Sequence, residues 1–205
     1  MLFEDTYQSI KAPSEGIYKD RGSKFIGFAF PIKTEAAVKE HLHLIKKEHA
    51  QANHHCYAFR LSPDPTVYRA SDDREPSGSA GKPILGAINS LQLTDVLVVV
   101  VRYFGGSLLG VPGLINAYRS AAVDALHHAE IIEKTIDDHY EIQFSYECIN
   151  DVHALLKGAG ARIVFQDYAE PCIIHFDIRI SKSSILADRI KEHPVLAIKA
   201  SLKHR

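Results

Sequence analysis

Three carboxylates occur within four residues of a segment that has the composition of a loop: Asp72, Asp73 and Glu75. Carboxylates this close together can bind magnesium or take part in acid–base chemistry. Loops are also acidic for a structural reason, because an aspartate side chain can accept hydrogen bonds from nearby backbone amides and so order the loop. Arg74 lies among the three and neutralises part of their charge. The residues alone leave both roles open.

A second segment begins where the apolar residues 96–101 end at the charged residue Arg102. Tyr103 and Phe104 follow, and then come a glycine-rich turn at residues 105–110 and the start of a helix. Functional loops often lie at such strand-to-helix junctions, and the free amides at a helix start favour an anion. The alternative is a tight turn that needs glycine backbone angles, with Arg102 buried against an aspartate of the acidic loop.

The two segments together suggest an anion site, because Lys82 and the amides before Pro83 would add to Arg102. A phosphate would meet two cations and a helix start, and a base would stack on Tyr103 or Phe104, as in single-stranded RNA binding. The candidate ligand residues are Lys82, Arg102, Tyr103, Gly105, Gly106 and Gly110.

The sequence contains no complete copy of several familiar catalytic and nucleotide-binding motifs. Gly81-Lys82 resembles the end of a P-loop, but Pro76 stands in place of its first glycine. Pro83 stands in place of the hydroxyl residue that binds magnesium. The glycines of residues 105–110 lack dinucleotide-binding spacing, and neither an HExxH motif nor a nucleophile elbow is present. No catalytic residue is identified, and neither a metal site nor a cofactor is expected.

Composition and charge are those of an ordinary globular protein. The chain has 205 residues, of which 46% are hydrophobic, and 24 basic against 25 acidic side chains give a net charge of −1. This balance excludes the strongly basic surface of a dedicated duplex-DNA binder, so any nucleic-acid partner needs a local patch. The longest apolar run is far below the roughly 20 residues that span a membrane. Three scattered cysteines and the absence of a secretory leader indicate a cytoplasmic protein.

The apolar pattern predicts the elements that must position these segments. In residues 1–134 it predicts strands at 15–19, 24–32, 54–61, 68–71 and 96–103, and helices at 34–49, 83–91 and 112–133. Residues 96–101 are a continuous apolar run rich in β-branched valine, which is typical of a strand covered on both faces.

The pattern in residues 135–205 predicts a second domain with the order βαββαβ, which is the ferredoxin-like split unit. Its predicted strands are 140–146, 162–167, 172–180 and 195–202, with helices after the first and third strands. The chain is therefore expected to be α+β, with two domains that meet near residues 134–139.

The acidic loop and the segment that begins at Arg102 both resemble signatures of a known family. Residues 71–85 are similar to the signature loop of the IMPACT family, and residues 98–118 are similar to its second signature. Residues 19–26 resemble the family's N-terminal segment. Arg74 and Pro112 stand where the family usually has glycine, so we expect the loop geometry to differ there.

The resemblance implies a fold and a biological setting. The first domain would be an α/β sandwich similar to the second domain of a small-subunit ribosomal protein, and the second would be similar to the ferredoxin-like domains of elongation factor G. Eukaryotic members of the family regulate translation by blocking, through protein contacts, the activation of a kinase that phosphorylates an initiation factor. We therefore expect a non-enzymatic regulator or binding module that contacts RNA, the ribosome or a translation factor. The alternative is an enzyme or small-ligand binder that acts on a phosphate-bearing molecule through the acidic loop and Arg102.

Overall fold

A computed structural model describes residues 5–64 and 66–204 of the chain. The chain divides into two compact units, one comprising residues 7–134 and the other residues 135–204 together with residues 5 and 6. Among the described residues, no helix is both long and apolar enough to cross a membrane. That the two units fold independently stays a prediction.

The described residues of the first unit form three helices and seven strands. The strands are β1 (Thr6–Ile10), β2 (Ser14–Asp20), β3 (Ser23–Pro31), β4 (His54–Arg60), β5 (Tyr68–Ser71), β6 (Val96–Tyr103) and β7 (Ile131–Thr135). The helices are α1 (Glu35–Glu48), α2 (Gly81–Ser90) and α3 (Gly110–His127). Five strands form an antiparallel sheet in the order β2-β3-β6-β4-β5, and β1 pairs with β7 in a second, two-stranded sheet.

Strand β6 lies at the centre of the five-stranded sheet and is buried on both faces, as its β-branched run predicts. Val96, Val98 and Val100 belong to the core that α2 and α3 complete. The alternate residues of the same strand pack on the other face with Val38 and Ile45 of α1. Because side chains alternate along a strand, one strand serves both layers, and its last residues project into different layers.

The structure corrects the predicted course of the third helix. Helix α3 ends at His127 rather than near residue 133, because residues 131–135 form β7 beside β1. Helix α3 also begins at Gly110, so Pro112 lies in its first turn. A proline costs little there, since first-turn amides have no acceptor within the helix.

The second unit has the predicted βαββαβ order, and the expected α+β fold is confirmed. Its elements are β8 (Asp137–Phe144), α4 (Ile149–Ala159), β9 (Arg162–Asp167), β10 (Cys172–Arg179), α5 (Ile180–Glu192), α6 (Leu196–Lys199) and β11 (Ala200–His204). The sheet order is β11-β8-β10-β9, and all its neighbouring strands are antiparallel. The short helix α6 was not predicted, and it delays the last strand from residue 195 to Ala200.

Candidate functional site

Glu75 of the acidic loop joins the two chemical segments of the sequence. Arg102 donates a hydrogen bond from Nη1 to Glu75 Oε1 at 2.6 Å, and the Tyr118 hydroxyl of α3 donates to the same oxygen at 2.7 Å. The side chains of Arg102 and Glu75 are only 7% and 4% exposed. The geometry matches the buried alternative for Arg102, with one correction: its partner is Glu75 rather than an aspartate.

Aromatic rings complete the environment of Arg102. The guanidinium carbon lies 5.5 Å from the ring centroid of Phe25 and 5.5 Å from that of Phe104. Both distances are within the range of cation–π attraction. Phe25 is fully buried, whereas Phe104 is 45% exposed. The guanidinium of Arg102 therefore lies near both a core ring, Phe25, and a partly exposed ring, Phe104.

Asp72 occupies the amides at the start of α2. Its carboxylate accepts hydrogen bonds from the amides of Gly78, Ala80 and Gly81 at 2.8, 3.0 and 2.8 Å. Burial alone would raise the pKa of Asp72, but these backbone hydrogen bonds outweigh it and lower the pKa below its ordinary value. The helix start that was expected to take an external phosphate is therefore already neutralised by an internal carboxylate.

The third carboxylate of the loop turns to yet another partner. Asp73 Oδ2 accepts a hydrogen bond from the backbone amide of His55 at 2.7 Å. Asp72, Asp73 and Glu75 therefore point to a helix start, a strand and an arginine, and they do not converge on one ion. In the part of the chain that the structure describes, no group of three or more His, Cys, Asp or Glu side chains could hold a metal ion.

Arg74 adopts a conformation that suits glycine. Its φ is 70°, and that of the preceding Asp73 is 38°, so both lie in the left-handed region. A glycine at position 74 would adopt the same backbone angle without the clash of a Cβ atom. The departure from the family pattern therefore places strain at Arg74.

Cys56 lies beside this cluster but is not a nucleophile. Its Sγ donates to the Asp72 carbonyl oxygen at 3.0 Å. The pKa of Cys56 is raised to about 12, mainly by burial; a hydrogen bond with Tyr118 lowers it in part, and the nearby carboxylates, with Glu75 first, add to the rise. The thiol is therefore protonated at neutral pH, whereas nucleophilic attack requires the thiolate.

The glycine-rich turn after β6 is fixed by close backbone packing. A Cβ atom on Gly105 would lie 1.9 Å from the backbone of Gly22, and the Gly105 amide donates to Ser23 Oγ at 3.1 Å. Gly106 and Gly110 have φ values of 89° and 70°. The three candidate glycines thus have structural reasons to be glycine, and the turn rests directly on the β2–β3 turn.

Two candidate residues lie apart from the Arg102 cluster. Tyr103 projects from the opposite face of β6 to Arg102, and its hydroxyl lies 2.9 Å from Nδ1 of His49. Lys82 is exposed on the first turn of α2, where its stem passes near Gly78. The structure therefore does not bring Lys82, Arg102 and Tyr103 to one point.

An exposed apolar surface beside the turn was missed by sequence reasoning. We call it the apolar ridge, and its members are Phe104, Leu108, Val111 and Ile115, which are 45%, 83%, 46% and 39% exposed. The spacing of Val111 and Ile115 on one face of a helix was the available signal. Arg21 is exposed and precedes the glycine on which Gly105 packs, so its backbone lies close to the glycine-rich turn.

Known proteins share this chain's signatures and its fold. The family model of the Impact N-terminal domain matches residues 21–126. The IMPACT family member YvyE of Bacillus subtilis is 36% identical over 131 residues, which are 64% of this chain and 60% of that protein. The IMPACT family member YigZ of Escherichia coli is 34% identical over 159 residues, 77% of this chain and 78% of that protein. A crystal structure described as that of a hypothetical protein is 28% identical, covers 98% of this chain and 97% of its own, and has a TM-score of 0.75.

Proposed function

Because the chain belongs to the IMPACT family, we propose that it is a translation-associated binding protein of the cytoplasm, that its partner is RNA, free or within the ribosome, and that it catalyses no reaction. The family resemblance supports the translational setting. The choice of a binding role is carried by one observation: the polar signature residues are engaged with one another.

The engagement of these residues weighs against an enzyme that acts on a phosphate-bearing molecule. Such an enzyme would need Arg102 to bind the anion, but Arg102 is buried on Glu75. It would need carboxylates that converge on magnesium, but Asp72 caps a helix. Covalent catalysis would need an activated nucleophile, and burial keeps the Cys56 thiol protonated.

The surface around the glycine turn supports RNA as the partner. Phe104 is 45% exposed while the guanidinium carbon of Arg102 lies 5.5 Å from its ring centroid, so a partly exposed ring is positioned for a base to stack on it. Arg21 offers a cation to a phosphate. A patch of this kind suits a chain whose overall charge is close to zero.

The direct test is titration of a fluorescein-labelled oligouridine with the protein over a series of salt concentrations. Phe104→Ala should weaken binding by about 1–3 kcal/mol because a stacking platform is lost. Arg21→Ala should make the slope of log affinity against log salt shallower by about 0.7, since one phosphate contact disappears. Lys39→Ala, an exposed cation on α1, is the matched control and should change neither quantity. Absence of binding at low salt, or equal affinity of Phe104→Ala and the wild type, would refute the proposal.

A further inference from the structure

A cleft of about 390 Å³ lies beside the edge strand β2, where the end of α1 and Asp124 of α3 both line it. Its apolar floor is on the face of the sheet that packs against α1. Its volume is within the usual range of small-ligand sites. Ile17 of β2 is 46% exposed there and pairs directly with Ile26 of β3. Phe28 of β3 continues this apolar floor. None of the residues proposed to contact RNA lines the cleft.

One end of the cleft is positively charged. Lys24 lines it, and Lys19 stands directly opposite Lys24 in the antiparallel β2–β3 pair. Both side chains are exposed, and within the described ranges neither forms an ion pair. Like charges directly opposite each other in a sheet repel, so an anion placed between the two lysines would relieve the repulsion.

The other end of the cleft is negatively charged. Glu15 is paired with Phe28 in the sheet, four residues along β3 from Lys24, and Glu48 lines the same end from α1. Over the described part of the chain, neither carboxylate has an ion-pair or hydrogen-bond partner. Asp124 and His128 also line the cleft, but they already bond to the backbone of β2, at Ile17 and Glu15.

The two charged ends fix the size of a complementary ligand. Four residues of strand separate them, which is roughly 13 Å at 3.3 Å per residue. A tripeptide in extended form covers about 10 Å between its ammonium and carboxylate groups.

His49 adds a polar group that suits a peptide backbone. It lines the cleft, and its buried Nε2 has no hydrogen-bond partner among the described residues. Its Nδ1 lies 2.9 Å from the Tyr103 hydroxyl, and either of those two atoms can carry the hydrogen. A peptide carries both N–H and C=O groups, so it can supply the partner that either tautomer of His49 requires.

From these observations we infer that the cleft between α1 and β2 binds a short peptide with free termini and an apolar central side chain. The terminal carboxylate lies between Lys24 and Lys19, and the terminal ammonium lies at Glu15 and Glu48. The central side chain packs on Ile26 and Phe28, whose burial supplies the non-polar part of the affinity.

The test uses the tripeptide Ala-Leu-Ala with the full-length protein and isothermal titration calorimetry. The controls are the same peptide with an acetylated amino terminus and with an amidated carboxyl terminus. Each modification removes one charge, and each should weaken binding by about five-fold.

Charge-neutral variants assign each peptide terminus to one end of the cleft. Glu48→Gln should reduce the preference for a free amino terminus and keep the preference for a free carboxylate, because Glu15 remains in place. Lys24→Gln should do the reverse, because Lys19 remains. Glu40→Gln and Lys39→Gln on exposed positions of α1 are the matched controls and should behave as the wild type. The inference is overturned by no detectable binding at about 10 mM peptide, by equal affinity for free and modified peptides, or by variants that leave both preferences intact.

Discussion

Replacement of Arg102 by alanine tests whether the signature arginine is a structural or a ligand-binding residue. In the structure its guanidinium is buried against Glu75 and lies between the rings of Phe25 and Phe104. Truncation would leave the Glu75 carboxylate buried. Among the described residues, only the Tyr118 hydroxyl would then be within hydrogen-bond distance, because His54 Nε2 lies 3.7 Å away.

The expected loss of stability follows from that burial. Breaking a buried ion pair by removing one partner costs about 3–5 kcal/mol, since the remaining charge loses its compensation. For a unit of this size, such a loss lowers the midpoint of thermal unfolding by on the order of 10–20 °C. Arg102→Met combined with Glu75→Met removes both charges and should recover most of the loss, as apolar replacements of buried pairs often do.

The assay is thermal and urea denaturation followed by circular dichroism, with oligouridine affinity measured on the same samples. Arg119→Ala, an exposed arginine of α3, is the matched control and should unfold within about 0.5 kcal/mol of the wild type. An Arg102→Ala protein as stable as this control would refute the structural role. A stable double variant that has lost RNA affinity and has a shallower salt dependence would show that Arg102 itself binds the ligand.

Three further predictions concern the loops around this pair. Asp72→Ala should lower the free energy of unfolding by about 1–2 kcal/mol at neutral pH, because it removes the cap of α2. The pKa of Asp72 is lowered in the folded protein, so this stabilisation is complete above the ordinary aspartate pKa of about 3.9 and is lost as the pH falls below it. The stabilities of the wild type and the variant should therefore converge in acid denaturation curves. Arg74→Gly should be about 1 kcal/mol more stable than Arg74→Ala in urea unfolding, since only glycine relieves the left-handed strain, and equal stabilities would contradict this. Gly105→Ala should lower the melting temperature because its Cβ atom would clash with the Gly22 backbone. Gly86→Ala in helix α2 is the control: its Cβ atom meets nothing within 4 Å, and it should raise the free energy of unfolding by about 1 kcal/mol. A Gly105→Ala protein as stable as the wild type would refute the close packing.

Much of the fold could be predicted because its signals are local. Thr34 accepts a hydrogen bond from the Ala37 amide as the cap of α1, and the β-branched run of β6 is buried on both faces. The pairing of β1 with β7 could not be predicted, because it joins segments some 120 residues apart and neither strand has a distinctive alternation. For the same reason the sequence predicted helix as far as residue 133, although residues 131–135 form β7.

The residues predicted to form one anion site do not come together in the structure, since Arg102, Tyr103 and Lys82 lie apart. That Arg102 and Tyr103 face opposite layers follows from the period of a strand and was within reach of sequence reasoning. The contacts of Glu75 could not be predicted in this way. Arg102 is 27 residues and Tyr118 is 43 residues from Glu75 along the chain, and such separations do not indicate which side chains are close in space.

The most direct test of the account is a map of the RNA contact on the folded protein. Backbone amide chemical shifts of isotope-labelled protein should be recorded with and without oligouridine. The account predicts shifts confined to the apolar ridge, the glycine turn and the β2–β3 turn around Arg21, with the buried Arg102–Glu75 cluster unchanged. Shifts absent from these segments, or centred on the start of α2 at Lys82, would contradict it.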